Sequence, residues 1–336
     1  MNILVRYIYL SHFDSHDTIA KVEKDKGFPA MSHGFEIQVF NRYENKIEIE
    51  KVYGDGMVKF AYGNPIGRIL GPIIASKWFS QLYGKSQDSL KSAKKVPPFL
   101  KKFNIQIDQY KKGSFKENPI ETSYQSFNEF FIREFQDGQR TFTPKDHEMG
   151  AFAEARYFGH ASMTDDLTIP VKGSMLRAVD LIGDGGLAEG FIGGPLMIAR
   201  LCPVDYHRYH YPDDGKTLKA FSVPGALHSV NPLALKYRQD IFIKNERRVS
   251  ILETEHFGKL AYIEVGATCV GKIVQSFDES KPFRKGDEKG YFLFGGSTVV
   301  VCGEKGKWKP SSDILKNTKA GIETYIHLGD VVAEAG

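Results

Sequence analysis

The sequence predicts an α+β protein. A helical, membrane-associating N-terminal region over residues 1–145 precedes a mainly antiparallel β catalytic domain over 146–336. Apolar residues at helical spacing are concentrated in the first part. Beyond it, short apolar or alternating runs such as LTIPVKG, GPLMIARLC, LKAFSVPG and KLAYIEVGATCVGKIVQSF are divided by glycine-rich turns. The 336 residues suffice for two domains and for a core that needs neither disulfides nor metal.

FEIQVF and KIEIE alternate with period two around the polar NRYEN, which predicts a hairpin within residues 35–62. Residues 66–83, IGRILGPIIASKWFSQLY, have helical spacing broken by Gly and Pro. Arg68 and Lys77 disfavour a membrane crossing, so an amphipathic or buried helix is expected. From Gly84 to Lys116, nine lysines stand against two aspartates and interleave with Phe99, Leu100, Phe103, Ile105, Ile107 and Tyr110. That pattern suits an anionic bilayer, with apolar side chains inserted and ammonium groups on lipid phosphates. A solvated helix surface without a partner has the same pattern. In SFNEFFIREF, Ser126 and Glu129 have the capping-box spacing, which predicts a helix with Phe127, Phe130, Phe131 and Phe135 on its core face.

The formal net charge of +4 argues weakly for any partner, and no nucleic-acid-binding motif occurs. No run of 18 apolar residues is present, so membrane contact is expected to be peripheral; the expected location is the cytoplasmic side of the cell membrane. The stretch MNILVRYIYLSHFDSHD has neither a long apolar core nor a small-residue cleavage site, and no secretory signal is expected. Cys202, Cys269 and Cys302 form no CxxC pair; buried thiols in a reducing compartment are expected, with no metal site. The glycines between 183 and 194 match neither GxGxxG nor a P-loop and read as turns.

Three constellations carry candidate chemistry. GYFLFGGSTVVV places Ser297 in a Gly–Gly–Ser–Thr turn between two apolar strands. Glycine there permits unusual backbone angles and serine is a candidate nucleophile, although such turns are common and the GxSxG elbow is absent. RLCPVDYHRYHYPDDG packs His207 and His210 beside Asp205, Tyr206 and Arg208. These are proton-transfer groups near neutral pH, or histidines that satisfy a polar turn; as metal ligands they are disfavoured, because no third ligand follows at a fitting spacing. VPGALHSVNPLAL sets a histidine, a serine and an asparagine after a Pro–Gly turn, lining a polar pocket or ending a strand.

Taken together and in order, FNRYENKIEIEKVYGDGMVKFAYGNPIGRI, FNEFFIREFQDGQR, IPVKG, FIGGPLMIARLCPVDYHRYHYPDDG, SVPGALHSVNPLAL, NERR, IEVGATCVGKI and KGDEKGYFLFGGSTVV closely resemble the phosphatidylserine decarboxylase family, in its bacterial branch with a GGST processing motif. The resemblance implies a proenzyme cut between Gly296 and Ser297 into a large chain, 1–296, and a small chain, 297–336, which stay associated. Ser297 would become a covalent pyruvoyl group, the cofactor for decarboxylating phosphatidylserine to phosphatidylethanolamine at an anionic membrane surface. A homodimer is implied as well.

The family's self-cleavage triad maps onto Ser297, His210 as base, and a carboxylate; His207 is implicated in decarboxylation. The carboxylate is where the chain departs. The family's Pro–Ala–Asp corresponds to Phe152–Ala153–Glu154, so a longer Glu154 takes the aspartate's place. An extra methylene moves a carboxylate by more than about 1 Å, a scale on which catalysis is sensitive. Two other readings accompany this one. One is a pyruvoyl decarboxylase of a soluble amino acid, left open by the altered Glu154 region. The other is a lipid-binding relative that never matures, against which the intact Ser297, His207 and His210 argue.

Overall fold

The structure, a computed structural model, describes residues 37–50, 82, 84–163, 168–169, 174–175, 177–230, 240–267, 273–295 and 297–336. All belong to one compact unit running from Ile37 to Gly336.

The early alternation forms β1 (Gln38–Asn41) and β2 (Lys46–Ile49), paired antiparallel from Gln38↔Ile49 to Asn41↔Lys46. The turn is made by residues suited to it. Asn41 Oδ1 accepts from the amides of Tyr43 and Glu44, and Asn45 takes a left-handed φ of 49° that asparagine tolerates.

Helix α1 (Val96–Phe103) opens with Pro97 and Pro98, where amide hydrogens are dispensable, and stops at Asn104 with φ 52°. Helix α2 (Phe127–Phe131) starts at Ser126, whose side chain accepts from the Glu129 amide at 3.1 Å. Glu129 returns to the amide of Gln125, one residue further back than the usual reciprocal bond.

The apolar residues of the lysine-rich segment face the protein. Phe99 and Leu100 are buried with Tyr124, Phe127, Phe130, Phe131 and Phe294, and Phe103, Ile105 and Ile107 pack against the same cluster. Tyr110 joins Phe135, Tyr206 and Leu328. The expected insertion of these groups into a bilayer is therefore corrected. An amphipathic stripe is satisfied by whatever apolar surface it meets, and here the phenylalanines of α2 provide it. The nine lysines from Lys85 to Lys116 are all exposed. The helix expected over 66–83 lies, except for Leu82, outside the described residues.

The β-rich part carries β3 (Glu148–Gly150), β4 (Ala155–His160), β5 (Thr168–Ile169), β6 (Ser174–Met175), β7 (Leu196–Leu201), β8 (Arg208–His210), β9 (Gly215–Val223), β10 (Arg247–Thr254), β11 (Lys259–Val265), β12 (Ile273–Gln275), β13 (Glu288–Phe292), β14 (Ser297–Gly303) and β15 (Trp308–Pro310). Helix α3 (Ser312–Lys319), β16 (Glu323–Ile326) and β17 (Val331–Ala335) complete the chain.

Nine strands form the main sheet in the order β2-β1-β16-β4-β7-β14-β11-β10-β9. Every pair in it is antiparallel except β1 with β16. The early hairpin, read from sequence as part of an N-terminal region, thus extends the sheet of the β-rich part. All residues of β7 and β14 are buried, which explains why LMIARL and STVVVCG lack the alternation of a one-sided strand. A smaller sheet, β12-β13-β8, lies alongside and carries the histidine motif.

Candidate active site

Ser297 is the first residue of β14, held between Leu201 of β7 on one side and the β11 end at Val265↔Thr298 on the other. It is fully buried. Gly295 has φ 147°, a conformation open to glycine and costly for other residues. Gly296 lies outside the described residues.

The group facing Ser297 is His207, whose Nδ1 is 3.3 Å from the serine Oγ. The other ring nitrogen fixes the tautomer. His207 Nε2 is 2.9 Å from the carbonyl oxygen of Cys202, which can only accept, so Nε2 carries the hydrogen and Nδ1 is left with a bare lone pair toward the serine. Burial, aided by the Arg133 charge, pushes the His207 pKa well below the ordinary imidazole range, against the opposing effect of the Cys202 bond. The ring is therefore neutral at pH 7. Phe131 of α2 stacks on it at 3.7 Å between centroids.

The turn before His207 is fixed on several sides. Asp205 takes the Cys202 amide at 2.6 Å and pairs with Arg156. Arg133 Nη2 reaches the carbonyls of Val204 and Asp205 at 2.8 and 3.0 Å. The Phe292 amide holds the His207 carbonyl at 2.9 Å. Beneath lies a buried charge network in which Glu50 pairs with Arg156 and Arg200, and Arg200 with Glu323.

His210 is engaged elsewhere. Its Nδ1 donates to the Gly286 carbonyl at 2.9 Å, and its Nε2 accepts from the Tyr206 hydroxyl at 3.1 Å. Burial lowers its pKa, opposed by the Gly286 bond. Its backbone amide bonds the Phe152 carbonyl, which brings the chain near Glu154.

The Glu154 carboxylate, however, turns to Arg140, with Nε at 2.6 Å and Nη2 at 2.8 Å. It also accepts from the Tyr325 hydroxyl at 3.1 Å and the Leu328 amide at 3.2 Å. With four donors its oxygens are saturated. The structure thus brings together Ser297 and His207. Among the described residues, no hydrogen bond joins Glu154 to His210 or His210 to Ser297.

Sequence reading missed several residues that build this site. Asn128 of α2 accepts the Phe294 amide at 2.8 Å, just upstream of the Gly–Gly–Ser turn. Arg140 claims Glu154. Asn245 staples the third constellation: its Oδ1 takes the His228 amide at 2.9 Å and its Nδ2 reaches the carbonyls of His228 and Gly266 at 2.7 Å each. Asn128 and Arg140 stood within the motif FNEFFIREFQDGQR, and Asn245 within NERR. Their partners are distant in sequence, and no local spacing gives them.

Fold and site define a class. This is an α+β chain whose candidate nucleophile opens a central buried strand, beside a basic imidazole nitrogen. The phosphatidylserine decarboxylase family model matches residues 127–333. The phosphatidylserine decarboxylase proenzyme of Clostridium novyi (strain NT) is 40% identical over 299 residues, 88% of this chain and 98% of that one. The proenzymes of Fusobacterium nucleatum and Desulfitobacterium hafniense (strain DCB-2) are 37% and 36% identical, each over 88% of this chain and 96% and 97% of theirs. The chain belongs to the phosphatidylserine decarboxylase family.

Proposed function

We propose that this chain is a proenzyme that cuts itself between Gly296 and Ser297 and, with a pyruvoyl group at position 297, converts phosphatidylserine to phosphatidylethanolamine and carbon dioxide. The observation that carries the reading is the fully buried Ser297 hydroxyl 3.3 Å from the unprotonated Nδ1 of His207. A buried serine hydroxyl beside a bare imidazole nitrogen, next in sequence to the Gly296 carbonyl, favours reaction with its own chain.

His207 takes the hydroxyl proton as Oγ bonds to the Gly296 carbonyl carbon. The Gly296–Ser297 C–N bond breaks and the serine nitrogen gains a proton, leaving an ester. Loss of the Ser297 α-hydrogen as a proton then expels the Gly296 carboxylate from Cβ. The dehydroalanine left behind tautomerises, takes up water and releases ammonia. The pyruvoyl ketone supplies an electron sink for the pair freed as carbon dioxide leaves.

The resemblance gives the processing base to His210, whereas the geometry supports His207. Glu154, saturated by Arg140, Tyr325 and Leu328, is assigned to holding the loop before β4 against β16. We assign peripheral contact with anionic membrane on the cytoplasmic side to the exposed lysines between Lys85 and Lys116. No helix among the described residues is long and apolar enough to cross a membrane.

The test is the denatured mass of purified protein, followed by carbon dioxide release from phosphatidylserine vesicles and from free amino acids. A fragment Ser297–Gly336 with a ketone-blocked N-terminus and release from the vesicles alone are expected. An uncut chain overturns the proenzyme reading, and release from a free amino acid overturns the lipid substrate.

A further inference from the structure

We infer that Asn128 is a positioning residue for self-cleavage, the upstream pin of the processing turn; the inference rests on the Gly296–Ser297 cut proposed above. The turn holds two successive glycines, Gly295 and Gly296, the least restrained residues a chain can carry. Attack by Ser297 needs the carbonyl before it at a defined distance, and a displacement of about 1 Å costs on the order of 100-fold in rate. Downstream the turn is fixed by β14. Upstream, the Phe294 amide donates to Asn128 Oδ1 at 2.8 Å, and the Phe294 ring sits edge-on to Phe127 and Phe131 at 5.1 and 4.9 Å.

The Asn128 amide has one orientation that satisfies all its neighbours. Oδ1 must face the Phe294 N–H, while Nδ2 donates to Asp88 Oδ1 at 2.7 Å and approaches the Gly84 carbonyl at 3.5 Å. Asp88 thereby sets which end of Asn128 meets the turn. The same short helix lays Phe131 on His207. One element therefore holds both the base and Phe294, two residues before the scissile carbonyl.

This arrangement predicts a reciprocal rescue. In Asn128→Ala the Phe294 amide loses this acceptor. In Asn128→Asp the acceptor is kept, but a second carboxylate oxygen meets Asp88. In the double variant Asn128→Asp/Asp88→Asn, the amide introduced at position 88 donates to the carboxylate introduced at position 128, and the pairing that holds the acceptor toward Phe294 is restored. The experiment follows the first-order appearance of the Ser297–Gly336 fragment from full-length chain. Amide exchange at Phe294 is measured in parallel in the uncut Ser297→Ala background.

Cleavage at least tenfold slower is expected for Asn128→Ala and for Asn128→Asp, with the double variant within threefold of the parent. Exchange at Phe294 should accelerate at least tenfold in Asn128→Ala. Parental cleavage by Asn128→Ala, or a double variant as slow as Asn128→Ala, overturns the inference while leaving the processing reading intact. A parent chain that releases no fragment defeats the processing reading, and the inference falls with it.

Discussion

Replacing each histidine of the DYHRYH motif by alanine separates their duties in processing. His207→Ala removes the nitrogen 3.3 Å from Ser297 Oγ. A general base contributes roughly 10²–10⁴-fold, so self-cleavage should slow by that factor, about 3–5 kcal/mol in the barrier. The backbone at this point keeps its bonds in the variant. The Cys202 carbonyl keeps its bond from the Asp205 amide at 2.8 Å, so no backbone group is orphaned, and the main structural cost is the ring's packing on Phe131. His210→Ala does the reverse. It leaves the Gly286 carbonyl and the Tyr206 hydroxyl without this partner, a cost of about 1–3 kcal/mol each in stability where water cannot replace it, with a smaller effect on the rate of cutting. The assay is the first-order decay of precursor mass at fixed temperature, with melting temperatures taken in the uncut Ser297→Ala background. Since the His207 pKa lies well below the ordinary value of about 6.5, the parent rate should be level from about pH 6.5 to 8. Cleavage by His207→Ala within threefold of the parent, together with its arrest in His210→Ala, would refute the reasoning and return the base to His210.

Glu154→Ala breaks a buried pair with Arg140 and should lower stability by about 3–5 kcal/mol, while processing at a temperature where the variant is folded stays within about tenfold of the parent. A rate loss as large as that of His207→Ala would place Glu154 in the proton path. Burial pushes the Glu50 carboxyl up, but Arg200 and Arg156 outweigh it and hold its pKa at about 2. The unfolded chain then binds the proton first, so the stability from this group is complete above the ordinary value of about 4.3 and is lost as pH falls toward 2. Acid titrations of the parent and Glu50→Gln, followed by circular dichroism, should show a shallower loss over that window in the variant. His207 and His210 are both lowered and act in the same direction: stability should decline as pH drops below about 6.5, where the unfolded imidazoles charge first, and melting temperatures across pH 5–8 check the sign. Replacing Lys101, Lys102, Lys111 and Lys112 by glutamine should weaken binding to phosphatidylserine-rich vesicles by up to about 10³-fold, taking about 1 kcal/mol per lysine, as read by sedimentation at low salt.

Short-range chemistry was legible in the sequence. The hairpin followed from alternation around a polar turn, α2 from a serine and a glutamate three residues apart, and the β-rich part from apolar runs between glycines. The pairing of β1 with β16 was not legible, because it joins Val39 to Glu323 across nearly the whole chain and nothing in either strand names the other. The lysine-rich segment shows a second kind of loss. Its apolar stripe is the same whether it meets lipid or protein, and only the phenylalanines of α2 decide. At the site, local pattern singled out His207, His210 and Ser297, and the family resemblance added Glu154. Which nitrogen meets which oxygen depends on acceptors such as the Cys202 and Gly286 carbonyls and on Arg140, and these are brought in by the fold.

The strand order has a consequence for the cut chain. The segment that begins at Ser297 supplies β14 and β16 to the main sheet, and each is flanked on both sides by strands from the larger piece: β14 by β7 and β11, β16 by β1 and β4. Severing the proposed bond would therefore leave both strands paired with the larger piece. The two pieces are woven into one fabric, and separating them means tearing four seams of backbone hydrogen bonds through the centre of the sheet. On this strand order, the proposed cut would create its new chain end at the first residue of a strand already paired on both sides.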